Sequence, residues 1–166
     1  MTHPRQLGLL LLASLLAAAC GLGGSGGDID GGVDNWPHRE IEQRTHQLIN
    51  EHRSSQGLAQ LEWRTLILKE ARGHSSDMAS GAVAFGHDGF EQRVSRISEV
   101  IPLSAAAENV GMNQGYSDPA DQAVQGWLNS PPHKTNIEGA YGLTAVGVEV
   151  NGAGATYLTQ IFVRAP

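Results

Sequence analysis

"TAVGVEVNGAGATYLTQIFV", Thr144 to Val163, decides the fold class. Val146, Val148 and Val150 recur at period two, so one face of an extended chain is apolar. "NGAGA" is turn chemistry, with Asn151-Gly152 its strongest signal, and "TYLTQIFV" returns as a second strand. A hairpin therefore closes the chain. What precedes it has period 3.6 instead, and no βαβ alternation is visible, so the pattern predicts helices covering an antiparallel sheet, an α+β fold.

Working back from the hairpin, "GWLNSPPHKTNI" (Gly126 to Ile137) ends a helix that opens at Asp118-Pro119, an N-cap followed by proline in the first turn. Ala120, Ala123, Val124, Trp127 and Leu128 form its apolar face. The helix stops at Asn129-Ser130, and Pro131-Pro132 reads as a rigid corner that aims His133. Upstream, Ile41, Thr45, Leu48 and Ile49 mark one helix that Gly57 stops, and Leu68, Ala71, Ser75 and Met78 mark a second that Gly81 stops. Ala82 to Ser117 is irregular, with one short helix around Gln92 to Ser98. Trp63 and Trp127 read as core aromatics, His74 as a packed core histidine, and His46 and His52 as solvent-facing.

The 166 residues suffice for one domain with a proper core, and 40% of them are apolar. Residues 1–19 read as an export signal: Arg5 is a thin positive region, Leu7 to Leu16 a short apolar run, and Ala17-Ala18-Ala19 precedes the cut point. Cys20, the single cysteine, follows it and cannot form an internal disulfide. "LLAAAC" resembles the lipobox of bacterial lipoproteins, with Ala17 where leucine is usual. Lipidation of Cys20 would anchor the protein in a membrane, and residues 20–35, with their Gly-rich run, would act as a flexible tether to a domain spanning 36–166. Gly21 rather than Asp after the cysteine favours an outer membrane where the cell has one. Removal of Arg5 leaves 10 Lys and Arg against 17 Asp and Glu, a net charge of −7. With no basic block, nucleic acid is excluded as a partner.

Three motifs carry candidate chemistry: "AFGHDGF" with His87, "AAAENVG" with Glu108, and "WLNSPPH" with Ser130 and His133. Each falls in a loop or at a helix edge, where scaffolds present functional groups. Asp88, beside His87, is placed to orient its imidazole. Asn109 and Gln160 read as amides tying cleft loops to the sheet.

The succession "LINEHRSSQGLAQLEW", "EARGHSSDMASG", "FGH", "AENV", "WLNSPPHKTNI", "AVGVEV", "YLTQIF" resembles the bacterial branch of the CAP superfamily, whose members include cysteine-rich secretory, antigen-five and plant pathogenesis-related proteins. The resemblance spans about residues 40–163. It implies a three-layer α-β-α sandwich with an antiparallel sheet, a third strand within the irregular middle, and a cleft of two histidines and acidic residues that holds a divalent metal in several members. Carried over by motif, His87 is the first histidine and Glu108 the first glutamate. The eukaryotic second glutamate is replaced by Ser130, and the eukaryotic second histidine by Tyr157. The bacterial W-x-x-S-x-x-H pattern is present, so His133 stands as the second imidazole.

Two imidazoles and a carboxylate suit zinc with one position left for water, which makes His87, Glu108 and His133 the expected metal ligands. Asp88, Asn109, Ser130, Tyr157 and Gln160 are expected around the cleft. The expected function is a membrane-tethered extracytoplasmic binding module for an unidentified small-molecule, lipid or envelope ligand. Two other readings stay open: a metal-dependent hydrolase acting on peptide or cell-wall material, and a structural envelope protein. Ser130 lacks the G-x-S-x-G setting of an exposed nucleophile, and no catalytic residue is assigned.

Overall fold

The computed structural model describes residues 35–166; the expected export signal, Cys20 and the expected tether up to residue 34 lie outside the described residues. The elements run α1 (Arg39–Ser55), β1 (Glu62–Trp63), α2 (Thr65–Ser80), α3 (Phe90–Ser98), β2 (Ala105–Gln114), α4 (Pro119–Leu128), α5 (Pro131–Glu138), β3 (Leu143–Val150) and β4 (Ala155–Arg164). The sheet order is β1-β3-β4-β2. β3–β4 and β4–β2 pair antiparallel, and the two residues of β1 add in parallel to the start of β3.

The sheet is covered on both faces, giving the α-β-α sandwich. Val146, Val148, Leu158 and Phe162 point to one face, where they pack with Ile49 of α1, Val124 and Trp127 of α4 and Ile137 of α5. Ala145, Ile161 and Val163 point to the other and meet Ile67, Leu68 and Ala71 of α2 and Ile97 of α3. The period-two pattern of β3 is thus apolar on both sides, as a doubly covered strand requires. Its second face is made small, because α2 crosses directly over Gly147. A Cβ there would lie 2.2 Å from the Arg72 backbone nitrogen.

Several local expectations hold. Asp118 caps α4, accepting from the Asp121 N–H at 2.9 Å, and Gly81 ends α2 in the left-handed conformation. In the hairpin loop the left-handed residue is Gly154, while the Asn151 side chain accepts the N–H groups of Ala153 and Ala155. β2 is the strand expected within the irregular middle. Pro131-Pro132, by contrast, is not a free corner. The prolines are the first turn of α5, where fixed φ and a missing N–H cost nothing.

Buried charged and polar groups hold the helices in place. Glu42 is fully buried and receives a two-pronged pair from Arg72, at 2.8 and 2.7 Å, plus the Val148 N–H at 3.2 Å. Arg53 is buried and donates to the carbonyls of Ala59, Ile137 and Gly139 at 2.8, 2.6 and 3.0 Å. It thus places positive charge at the C-terminal end of α5. Asn50 pairs through its side chain with both the N–H and the C=O of Leu61. His52 contacts Glu138 at 2.8 Å, joining α1 to α5. His46 is not solvent-facing: its ring stands edge-on to half-buried Trp63 at 5.1 Å, and burial holds its pKa down.

Candidate functional site

Glu108 and Arg93 form the centre of the site. Glu108 lies on β2 with its side chain 1% exposed, and Arg93 of α3 grips both carboxylate oxygens at 2.9 and 2.8 Å. Charge-assisted, two-pronged bonds of this kind offset the cost of burying both ions. His87 lies in the loop between α2 and α3. Its side chain is 52% exposed, and Nδ1 sits 3.0 Å from Glu108 Oε1. The ring is therefore held by one edge and open on the rest. Arg93 also donates to the Asp88 carbonyl at 2.9 Å, which fixes the loop.

A second anchor reaches the same loop from α2. His74 is buried and donates through Nε2 to the Gly86 carbonyl, 2.8 Å away, immediately before His87. Burial is the main cause that lowers its pKa, and the charge of Arg93 adds to it. The core-histidine reading of His74 is correct, and the residue also positions the site.

His133 approaches from the other side of β2's outer edge. It occupies the first turn of α5 with Nδ1 2.8 Å from Ser130 Oγ. Ser130 is the N-cap of α5, yet its hydroxyl makes no capping bond and meets the imidazole of His133 instead. Burial, then the nearby His87, pushes the His133 pKa down. Asn109 fastens this helix to the strand, donating to the His133 carbonyl at 3.1 Å and accepting from Asn136 at 2.9 Å.

The expected site residues divide accordingly. His87 and Glu108 touch, and His133 with Ser130 faces them across the strand edge. Asp88 does not orient the His87 imidazole; Glu108 takes that role, and the exposed Asp88 contributes only its carbonyl. Gln160 is fully buried between strands, donating to Thr144 Oγ1 at 3.3 Å, and lies in the core instead of the cleft. Tyr157 is paired with Met112, four residues along β2 from Glu108 and so roughly 13 Å away. Its ring packs on exposed Phe85, centroids 6.5 Å apart. Arg93 escaped sequence reasoning because an arginine in a polar nine-residue helix reads as solvated, as its neighbour Arg96 is.

A His-His-Glu metal centre does not fit this donor set. Both Glu108 oxygens already face the Arg93 guanidinium, and a metal would have to displace one cation to place another. Among the described residues no group of three or more His, Cys, Asp and Glu side chains is arranged to hold a metal ion. Nor does a Ser-His-Glu relay form, since the carboxylate pairs with His87 and the serine with His133.

Residues 46–162 match the model of the CAP, cysteine-rich secretory protein family, and the chain belongs to that family. It is 35% identical over 127 residues to the uncharacterized membrane protein YlbC of Bacillus subtilis, covering 74% of this chain and 34% of that one. A solved extracellular SCP-domain protein of Bacillus anthracis is 31% identical with a TM-score of 0.61, covering 76% of this chain and 41% of its own. An outer surface protein of Borrelia burgdorferi shares the fold, with a TM-score of 0.64 at 17% identity over 78% of this chain and 96% of that one. The chain thus spans well under half of the Bacillus relatives.

Proposed function

We propose that the chain is an extracytoplasmic CAP-domain binding module, tethered to a membrane through lipidated Cys20, whose cleft at His87 and His133 takes an unidentified small-molecule, lipid or envelope ligand. The observation that carries this reading is the half-exposed His87 imidazole held on a buried Arg93–Glu108 pair. A buried, paired carboxylate that holds the edge of one exposed ring is intelligible as the support of a binding group. The tether reading draws on "LLAAAC" and the glycine run. Relatives described as a membrane protein and an extracellular protein support an envelope or extracellular location.

One observation favours a second reading, a hydrolase: the Ser130–His133 contact of 2.8 Å. It would use Ser130 as nucleophile and His133 as base, without metal. Glu108 is committed elsewhere, so the dyad has no carboxylate to orient it, and the binding reading is preferred.

Native mass spectrometry of full-length protein from its own membrane, wild type beside H87A/H133A, tests both parts. The expected result is an acylated N-terminus and a co-purifying mass lost in the variant. An unacylated chain overturns the tether. A zinc adduct would show that Glu108 or the imidazoles rearrange to bind metal. A serine-directed fluorophosphonate that labels wild type but not S130A would establish the hydrolase.

A further inference from the structure

β2 is the outer strand of the sheet, and the way its free edge is covered changes along its length. The Asn151 N–H donates to the Ala155 carbonyl at the hairpin end, so the odd residues of β4 bond to β3 and the even ones to β2. The backbone groups of Glu108, Val110 and Met112 consequently point outward. Two side chains stand in for the missing neighbour strand: Asn136 donates to the Glu108 carbonyl at 3.3 Å, and the Trp127 indole N–H to the Val110 carbonyl at 2.9 Å. At Met112 no described side chain plays this part.

There the covering helix parts from the strand and leaves a groove of about 220 Å³. Val110, Met112, Asn113, Gly126, Trp127 and His133 are among its walls, and every lining residue is uncharged at neutral pH. Gly126 is the informative one. It sits inside α4, exposed, and a Cβ placed on it would meet nothing within 4 Å. A glycine within a helix costs up to about 1 kcal/mol against alanine, and no neighbour here requires it. What it preserves is the open groove.

We infer that this groove binds a short, extended, uncharged stretch of polypeptide, added along β2 at Met112. The chemistry is that of strand addition: an outward N–H and C=O, two residues beyond a carbonyl already served by Trp127, accept a peptide unit in register. The neutral walls suit a neutral main chain and repay no charged side chain. The volume, below the ~300 Å³ of small drug sites, limits the occupant to about two small residues within the groove. This deepens the binding-module reading and rests on it, since the groove ends on His133.

The test is an amide-resolved NMR titration of the folded protein with tri-alanine blocked at both ends by acetyl and amide groups, and separately with the N-acetylglucosamine disaccharide, which carries the same secondary amide on a sugar. Wild type, G126L and H87A are compared. The expected result is saturable shifts centred on Met112 and Gly126 with the peptide alone, at least about tenfold weaker in G126L. Leucine is a better helix former than glycine, so G126L should melt no lower than wild type, which separates filling of the groove from unfolding. Shifts with the disaccharide alone would overturn the peptide assignment. Shifts lost in H87A but kept in G126L would move the ligand to the His87 cleft, overturning the groove while sparing the binding module. The absence of any peptide shift in wild type would overturn the inference itself.

Discussion

The imidazole of His74 donates to the carbonyl of Gly86, so a buried residue of α2 sets the position of the loop that presents His87. Replacing it with phenylalanine keeps the ring volume but leaves that carbonyl without its donor. H74F should cost about 1–3 kcal/mol in urea unfolding and speed amide exchange through residues 82–89. Unchanged exchange in that loop would mean that Arg93 alone positions His87.

Acid should weaken the fold through three histidines, His133 and the more buried His46 and His74. Burial holds the pKa of both His46 and His74 below the ordinary 6.5. The unfolded chain therefore takes up protons before the folded one does, and stability rises with pH wherever that is so. Their contribution is complete above 6.5 and declines as the pH falls below it. Urea unfolding from about pH 8 to about pH 5 checks this, and H46F/H74F should flatten the slope on the acid side of that range.

Removing one half of the Arg93–Glu108 pair should hurt more than removing both. R93M strands a buried carboxylate, with an expected loss of about 3–5 kcal/mol, and R93M/E108L should recover part of it. A double-mutant cycle by denaturant unfolding reads the coupling directly. Additive losses would mean that the two charges do not support each other.

Two glycines should respond in opposite directions to the same change. G147A drives a methyl into the backbone of α2 at Arg72 and should cost about 3 kcal/mol or prevent folding. G126A adds a methyl to open space in α4 and should gain about 0.5–1 kcal/mol. Thermal melts of both, side by side, decide it.

What was legible in the sequence was the part written in periodicity. The faces of α1, α2 and α4 and the β3–β4 hairpin follow from apolar spacing. β2 does not, because Asn109, Gly111 and Asn113 line its inner face: two amides that tie down helices, and a glycine whose missing Cβ leaves room for the Trp127 indole. Only family resemblance pointed to it. α5 was hidden because a proline pair signals a turn as readily as a first helical turn. His87, Glu108 and His133 stood out by motif, but Arg93 did not, its partner being fifteen residues away. Glu42 and Arg53 were hidden likewise, since a charge on an amphipathic helix gives no sign that it faces inward.

Trp36, near the start of the described residues, hydrogen-bonds the Val148 carbonyl at 3.0 Å and lies 4.7 Å beneath the Arg72 guanidinium. A pull on whatever precedes it is borne there first. The load passes into β3 and α2 before α1 can unwind. β2 lies on the far side of β4 from that strand. A chain tugged from its N-terminal end would keep the β2 edge in shape until the Trp36 latch gives way.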